Sequence, residues 1–252
     1  MNLRDKSVLV TGGSRGLGRG LVEALSDQGA RITVVARGAA DLAEVQARFG
    51  AATIAADVAD AAAAKRILAE VRPQILVLNA GATPPMGPLD QISWDDFTAP
   101  WESDVKAGLA WLQAALNLPL APGSRVLVGS SGAAQQGSPL SGGYAGAKRM
   151  LWMMSRYADG LSRQKGLDIR FQAILPLQIV GGTGVGDAAS AAYAQAAGIE
   201  RADFLARFGA PLPPRTFGDQ VVTLLEDPRY DEALAFGLKG GAGITVLEGA
   251  GA

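Results

Sequence analysis

The chain contains no cysteine and no histidine. Without cysteine, the protein forms no disulfide and has no thiolate nucleophile. Without histidine, it lacks the commonest general base and the commonest metal ligand, which excludes a Ser-His-Asp hydrolase and a histidine-ligated zinc enzyme. Any acid–base chemistry therefore falls to tyrosine, lysine, aspartate or glutamate, and we expect no metal site.

Excess charge and long apolar runs are also missing. The net charge is −1, without a basic block, so there is no platform for nucleic acid. No apolar run reaches the roughly 18 residues that span a membrane, and the N-terminus has no signal-peptide pattern. With 48% hydrophobic and 19% charged residues, the chain has material for a large core. We expect a cytoplasmic protein that binds neither nucleic acid nor membrane.

Short apolar runs alternate with helical patterns through the first half of the chain. The runs lie at residues 7–12, 31–37, 52–58, 74–81 and 124–131. Because these runs are almost continuously apolar, they indicate strands buried on both faces, as in a parallel sheet. The alternation predicts an α/β fold with a doubly wound parallel sheet, a Rossmann fold, as one domain over residues 1–252.

The second half predicts a long helix from Gly143 to about Lys165, a sixth strand at 168–176 and a last strand at 244–247. The segment at about 178–214 differs, because it is rich in glycine, alanine and proline, with a helix predicted around 188–208. A long excursion after a strand end is typical of a lid, so we expect a substrate-binding insertion here.

A glycine-rich turn joins the first strand to the first helix. The sequence "TGGSRGLG" places glycines at Gly12, Gly13, Gly16 and Gly18. Glycines permit the tight turn and let backbone N–H groups approach a pyrophosphate at the helix N-terminus. In this strand–turn–helix context, the pattern predicts dinucleotide binding.

The end of the second strand indicates which dinucleotide is bound. NAD sites usually carry an acidic residue there, which binds the ribose 2′-hydroxyl. This chain has Ala36 and Arg37 at that position, and Arg15 lies in the glycine turn. Two guanidinium groups suit a 2′-phosphate, so the sequence favours NADP(H) over NAD(H).

Tyr144 and Lys148 lie four residues apart in the stretch "GGYAGAKRM". Four residues are about one helical turn, so both side chains share a helix face. An ammonium beside a phenol hydroxyl favours the phenolate. Taken alone, the pair is either a feature of a helix surface or a proton donor for work near neutral pH.

Together these motifs resemble the short-chain dehydrogenase/reductase family over nearly the whole chain. The motifs in order are Thr11 to Gly18, Asp57-Val58, Asn79 to Gly81, the serine pair before Gly132, and Tyr144-x-x-x-Lys148. The resemblance implies catalytic roles for Ser131, Tyr144, Lys148 and Asp104. It implies cofactor contacts at Thr11, Gly12, Ser14, Arg15, Gly16, Leu17, Gly18, Arg37, Asp57, Val58, Asn79, Ala80, Gly81, Tyr144, Lys148, Pro176 and Thr183.

In that family, the serine hydroxyl binds the substrate oxygen and the tyrosine passes the proton. The lysine binds the nicotinamide ribose. By chemistry alone, Ser130 is as plausible as Ser131, and only the family spacing selects Ser131.

Three positions depart from the family pattern. Asp104 stands where an asparagine is usual; it is either a member of the proton relay, although its charge opposes tyrosinate formation, or a surface carboxylate. Leu177 replaces a glycine after Pro176, and Thr183 lies farther along than usual, as a cofactor contact or an ordinary loop hydroxyl. The ending "LEGAGA" only approximates the family's acidic-glycine-glycine ending.

The substrate and partners are predicted more coarsely. No arginine cluster marks a carboxylate or phosphate clamp, so we expect a small-to-medium, mostly uncharged ketone or alcohol. Trp94 and Trp101 are interpreted first as core residues. The candidate pocket walls are Met86, Trp94, Gln135, Leu140 and Tyr193.

Helices around Trp111 and residues 149–157 are apolar on more than one face. The family resemblance implies that these helices form subunit contacts, so we expect a homodimer or homotetramer.

The sequence thus predicts an NADP(H)-dependent oxidoreductase acting on a carbonyl or secondary alcohol. The alternative is a catalytically weak nucleotide-binding or regulatory protein on the same scaffold, which the three departures motivate. A lyase or dehalogenase on this scaffold is disfavoured because such relatives lose the glycine turn.

Overall fold

The centre of the protein is one eight-stranded sheet, in a computed structural model that describes residues 1–249. The strands are β1 (Ser7–Thr11), β2 (Arg31–Ala36), β3 (Ala52–Ala55), β4 (Ile75–Leu78), β5 (Arg125–Gly129), β6 (Arg170–Pro176), β7 (Ala235–Lys239) and β8 (Gly243–Glu248). Their spatial order is β3-β2-β1-β4-β5-β6-β7-β8, and every neighbouring pair is parallel except β7 with β8. The predicted doubly wound parallel sheet is confirmed, with one antiparallel strand added at its edge.

Helices cover both faces of the sheet. They are α1 (Gly16–Asp27), α2 (Ala39–Phe49), α3 (Ala61–Val71), α4 (Trp94–Pro100), α5 (Lys106–Asn117), α6 (Ala133–Gln136), α7 (Tyr144–Gln164), α8 (Gly184–Ala197), α9 (Arg201–Ala206) and α10 (Pro214–Glu226). A π-helical turn (Trp101–Val105) joins α4 to α5, and a 3-10 turn (Pro228–Tyr230) follows α10. Among the described residues, no helix is both long and apolar enough to cross a membrane.

The core has two layers because successive strand residues point to opposite faces. Val8 and Val10 of β1 pack with α1, α2 and α10 on one face. Leu9, between them, packs with α3, α5 and α7 on the other. Both faces of the sheet are therefore buried, as the continuous apolar runs predict.

The strand order places a crevice at the carboxyl ends of β1 and β4. From β1 the chain winds outward through β2 to β3 and then returns to β4, on the other side of β1. Ligands of open α/β sheets bind where the order reverses in this way. The residues that follow β1, β2, β4, β5 and β6 all reach this edge of the sheet.

The segment after β6 leaves the sheet and forms two helices, not the single helix predicted around residues 188–208. Helix α8 ends because Gly198 adopts a left-handed conformation, with φ +63°, and α9 starts three residues later. A glycine in this conformation is a common helix terminator. The prediction of one helix was wrong because the periodicity continues on both sides of this glycine.

Near the C-terminus, the structure adds two elements that the sequence reading did not predict, α10 and β7. Proline at the first position of α10 is a recognised helix-start signal, and β7 is only five residues long. The predicted last strand at 244–247 is confirmed as part of β8. Residues 250–252 of the unusual C-terminal ending lie outside the described residues.

Candidate active site

The glycine turn packs directly against Ala80, the second residue after β4. Gly12 has φ +66°, and a Cβ atom there would lie 2.7 Å from the Cα atom of Ala80. The Thr11 hydroxyl accepts hydrogen bonds from the backbone N–H groups of Asn79 and Ala80, at 3.1 and 3.2 Å. The turn and the end of β4 are thus one rigid unit that needs glycine at its contact.

Helix α1 begins inside this turn with its first N–H groups uncapped by a side chain. Arg15 is the N-cap residue, and no side chain accepts a hydrogen bond there. A Cβ atom on Gly18 would lie 2.1 Å from the Gly12 carbonyl oxygen, so the backbone comes closer here than any other residue allows. Free N–H groups and the positive end of the helix dipole suit a phosphate.

Two arginines lie beside the turn at the end of β2. Arg15 and Arg37 are both exposed and line the same cavity. Within residues 1–249, neither forms an ion pair or a side-chain hydrogen bond. Asp57 lies nearby, with one oxygen accepting from the Ala59 N–H at 3.0 Å. Asp41 lines the same end of the cavity. It was not predicted, because no motif or spacing in the sequence points to it.

Tyr144 is the first residue of α7 and Lys148 lies one helical turn later, with its ammonium beside the tyrosine ring. Tyr144 is 8% exposed and Lys148 is 6% exposed. The Lys148 Nζ atom lies 5.6 Å from the centre of the Tyr144 ring. The phenol and the ammonium therefore lie close together at the cavity wall, as the sequence predicts.

Asp104 pairs with Lys148 inside the protein. Its Oδ2 atom lies 2.9 Å from Lys148 Nζ, and its side chain is 1% exposed. Its Oδ1 atom accepts from the Ala82 N–H at 2.9 Å and from the Ser103 hydroxyl at 2.8 Å. The interpretation of Asp104 as a surface carboxylate is wrong, because the π-helical turn points its side chain inward.

This ion pair sets the charge of the lysine. Burial alone would lower the pKa of Lys148, but the Asp104 carboxylate, with a contribution from Tyr144, outweighs burial and raises that pKa above its ordinary value. Lys148 therefore keeps its proton throughout the neutral and mildly alkaline range.

The two serines after β5 differ in what their hydroxyls do. Ser130 donates to the backbone carbonyl of Lys148 at 2.8 Å, so its proton is already used. Ser131 only accepts a hydrogen bond, from the Ala133 N–H at 3.2 Å, which leaves its proton free to donate. Both line the cavity, and the bonding pattern supports Ser131, where the sequence chemistry left the two open.

Leu177 fits the site although a glycine is usual there. Its side chain occupies the space above Gly237 of β7, where a Cβ atom would lie 2.4 Å from a Leu177 methyl group. Thr183 caps α8 by accepting from the Gly186 N–H, and it lies against Gly16 of the glycine turn. Capping gives Thr183 a structural role beside any contact with a cofactor.

One cavity of about 830 Å³ joins all of these groups. Of the site residues predicted from the sequence, only Thr11 and Gly18 do not line it, and both lie beneath the turn and shape it. Its outer end is formed by α8, α9 and the loop after α6.

The predicted pocket walls need correction. Tyr193 lines the cavity, whereas Met86, Trp94, Gln135 and Leu140 do not. Trp94 is not a core residue either, because it is 74% exposed and stacks only on Phe97 within the described chain. Phe204 and Phe208 line the cavity instead, and their i, i+4 spacing in the insertion was the signal that could have revealed them.

Comparison with known proteins identifies the family. A family model described as short chain dehydrogenase matches residues 6–193. The chain belongs to the short-chain dehydrogenase family. A short-chain dehydrogenase from Burkholderia cenocepacia, solved in complex with NADP, has 26% identity and a TM-score of 0.74, over 96% of this chain and 99% of that chain.

Curated relatives also match by sequence, and these include two at 35% identity. The Aspergillus aculeatus short chain dehydrogenase/reductase AacuD is 35% identical over 58% of this chain and 55% of its own length. Human L-xylulose reductase is 35% identical over 42% of this chain and 43% of its own length. The chain thus spans about half the length of these relatives. The family is one of oxidoreductases that use a nicotinamide cofactor.

Proposed function

We propose that the protein is an NADP(H)-dependent oxidoreductase that interconverts an uncharged ketone and the corresponding secondary alcohol. The observation that carries this proposal is the shared cavity, in which the glycine turn opens onto the Tyr144–Lys148–Asp104 group. A dinucleotide bound to the turn would extend toward this group, because both lie along the carboxyl edge of the same strands.

The residues present fit such a cofactor. The turn has a cradle that a Cβ atom would fill, and the uncapped start of α1 offers N–H groups to a pyrophosphate. Arg15 and Arg37 form no ion pair within the described chain, although Asp41 and Asp57 line the same cavity, so both guanidinium groups are available to a 2′-phosphate. Asp57 and Val58 would hold the adenine ring, and Asn79 to Gly81 would support the ribose. Pro176 and Thr183 would lie toward the nicotinamide.

When bound, the nicotinamide supplies hydride to the carbonyl carbon or takes it from the alcohol carbon. The side chains handle the proton. In reduction, the Tyr144 hydroxyl donates its proton to the carbonyl oxygen, and the Ser131 hydroxyl donates a hydrogen bond to the same oxygen. Two donors aimed at the oxygen stabilise the negative charge that develops there.

Lys148 and Asp104 support Tyr144 without touching the substrate carbon. The charged Lys148 would stabilise the phenolate left after proton transfer and would bind the nicotinamide ribose. Asp104 keeps Lys148 charged in a dry environment and fixes its position through Ala82 and Ser103. We therefore assign Asp104 as a positioning residue.

The second candidate is a catalytically weak nucleotide-binding or regulatory protein. The negative charge of Asp104 beside the reacting group favours it, since the family usually has a neutral asparagine there. Leu177 does not favour it, because Gly237 makes room for the larger side chain.

We also propose self-association as a homodimer or homotetramer. Leu109 of α5 is 47% exposed, and Tyr157 and Leu161 of α7 are 56% and 41% exposed. Apolar side chains on two long helices support a subunit contact. The cytoplasmic location expected from the sequence remains a proposal.

The function is tested by oxidation of NADPH with a panel of uncharged ketones and the reverse reaction with secondary alcohols. Turnover on at least one pair, with tighter binding of NADPH than of NADH in a fluorescence titration, is the expected result. NADPH binding without turnover across the panel would instead support the regulatory alternative. Tighter NADH binding would overturn the roles of Arg15 and Arg37.

A further inference from the structure

Three aromatic rings form a cluster at the outer end of the cavity. Tyr193 of α8 stacks on Phe204 of α9, with ring centres 5.8 Å apart and planes 5° apart. Phe208 meets Phe204 edge-to-face at 5.6 Å. All three rings are half-buried and line the cavity, so each presents a free surface to its interior. We call these three residues the aromatic cluster.

The aromatic cluster is held in place by the loop that leads to the catalytic tyrosine. The Tyr193 hydroxyl is 2.8 Å from the Ser138 hydroxyl and accepts from the Leu140 N–H at 3.2 Å. In the same loop, the Ser141 carbonyl accepts from the Tyr144 N–H at 3.0 Å. The ring of Tyr193 is thus fixed by short links to the start of α7, and the cluster stands at a set position relative to Tyr144.

The outer end of the cavity carries no charged side chain within residues 1–249. Four of the charged residues that line the cavity lie near the glycine turn and the ends of β2 and β3, namely Arg15, Arg37, Asp41 and Asp57. The other two, Asp104 and Lys148, form the buried ion pair. The apolar residues that line the same cavity include Leu177, Ile179, Val180, Val185 and Ala189.

Three polar side chains that line the same cavity already have partners. Thr183 donates to the Val180 carbonyl and accepts from the Gly186 N–H. Gln178 donates to the Ala210 carbonyl and accepts from the Gly240 N–H. Ser138 is bound to Tyr193. These hydrogen bonds occupy groups that a substrate hydroxyl would otherwise use, so burying several hydroxyl groups beside these three side chains is disfavoured.

We propose that the aromatic cluster is a substrate subsite that selects carbonyl compounds carrying an aromatic or fused ring beside the reacting carbon, and disfavours open-chain polyhydroxy ketones. The ring would stack against Phe204 and Phe208 while the oxygen faces Tyr144 and Ser131. Aromatic pairs gain from stacking or edge contact beyond their apolar burial. This inference rests on the proposed function and names the substrate class of the same site.

The test compares two ketones with NADPH and the full-length protein. 1-Tetralone has a fused aromatic ring, and erythrulose is an open-chain hydroxy ketone. We expect kcat/KM to be higher for 1-tetralone by about 100-fold or more. In Phe204→Ala, kcat/KM for 1-tetralone should fall about tenfold or more, mostly through KM, with little change for erythrulose.

Leu205→Ala is the matched control on the same helix, because Leu205 packs near Gly181 and does not line the cavity. Any general loosening of α9 acts on both ketones, so this variant should keep the wild-type ratio of the two kcat/KM values. Calorimetric titration with 1-tetralone gives a readout besides turnover, and its Kd should rise in Phe204→Ala but not in Leu205→Ala.

The subsite would be overturned if the wild-type kcat/KM values for the two ketones are nearly equal, or if Phe204→Ala loses the same factor in kcat/KM on both ketones. Unchanged binding of 1-tetralone in Phe204→Ala would overturn it as well. If neither ketone is turned over although NADPH binds, the proposed function fails. The titration then still decides the subsite, since loss of 1-tetralone binding in Phe204→Ala supports it and unchanged binding refutes it.

Discussion

The substitution Asp104→Asn replaces the buried carboxylate beside Lys148 by a neutral amide of nearly the same shape. The amide oxygen still accepts from Ala82 and Ser103, so the local backbone is retained. What the variant loses is the negative charge 2.9 Å from Lys148 Nζ. The amide NH2 group then faces the Lys148 ammonium, donor against donor, so the variant removes the ion pair together with its hydrogen bond.

The expected loss of stability follows from the geometry. At 2.9 Å and an effective dielectric constant of about 20, the attraction is about 6 kcal/mol, before the cost of desolvating both ions. Removing one partner of a buried ion pair usually costs about 3–5 kcal/mol. Because the amide keeps its hydrogen bonds, we expect the lower end, about 3 kcal/mol at pH 7. That corresponds to a fall in Tm of about 6–12 °C.

The loss should also depend on pH. In the wild type, the pKa of Lys148 is raised, so its contribution to stability is present at neutral pH and is lost only as pH rises through that raised value. In Asp104→Asn, burial without the carboxylate lowers the pKa of Lys148. The variant then gains stability relative to wild type as pH rises from 7 to 10, because its lysine sheds the proton more readily.

Urea unfolding at fixed protein concentration, at pH 7 and at pH 9.5, measures this difference. Asp90→Asn is the control, because Asp90 is exposed and no contact holds it within the described chain. The free energy of unfolding of Asp90→Asn should equal that of the wild type at both pH values. A loss in Asp104→Asn below about 1 kcal/mol, or one equal at both pH values, would refute the coupling between Asp104 and Lys148.

Three further substitutions test other parts of the site. Gly18→Ala puts a Cβ atom 2.1 Å from a backbone oxygen of the turn, so NADPH binding, measured by fluorescence titration, should weaken severely. The control Gly160→Ala adds a Cβ atom in open space on α7 and should leave NADPH binding unchanged. Arg37→Gln should weaken NADPH binding about tenfold without weakening NADH binding, because only NADPH carries the 2′-phosphate. The exposed control Arg66→Gln should change the affinity for neither nucleotide. An equal loss of affinity for both nucleotides in Arg37→Gln would contradict a 2′-phosphate contact. Ser131→Ala should lower kcat about 100-fold with NADPH affinity retained, and a wild-type kcat would exclude it as a donor to the substrate oxygen.

The sheet could be predicted because its physical signal is local. The central strands are continuously apolar, as in the run at 74–81 that contains β4, and glycine punctuates the first turn. Burial on both faces leaves few other arrangements for such runs. Strand β7 was not predicted because it is only five residues long and is followed by glycines. Helix α10 has thirteen residues and a proline at its first position, so its start signal was present in the sequence.

The site could be predicted only where a motif has fixed spacing. Tyr144 and Lys148 share a helix turn, so their neighbourhood follows from helix geometry. The inward direction of Asp104 depends on a π-helical turn, which has no simple sequence period. Likewise, the hydroxyl partners that distinguish Ser131 from Ser130 arise from contacts with distant segments.

The outer wall of the cavity is the part of the site that the sequence predicts least well. Trp94 is a large aromatic residue and was placed in the core or the pocket, yet it is exposed beside Phe97. Phe204 and Phe208 reach the cavity because Gly198 redirects the chain between α8 and α9. The i, i+4 spacing of the two phenylalanines marks them as a pair, but the place where this segment docks depends on tertiary packing.

The most direct test of the central claim is single-turnover oxidation of bound NADPH by an accepted ketone in wild type and in Tyr144→Phe. The variant removes one oxygen atom and keeps the ring that packs near Lys148. Our account predicts that NADPH affinity is retained and that the rate falls about 100- to 10,000-fold, as for loss of a general acid. A variant that turns over at the wild-type rate while binding NADPH normally would contradict the assignment of Tyr144 as the proton donor.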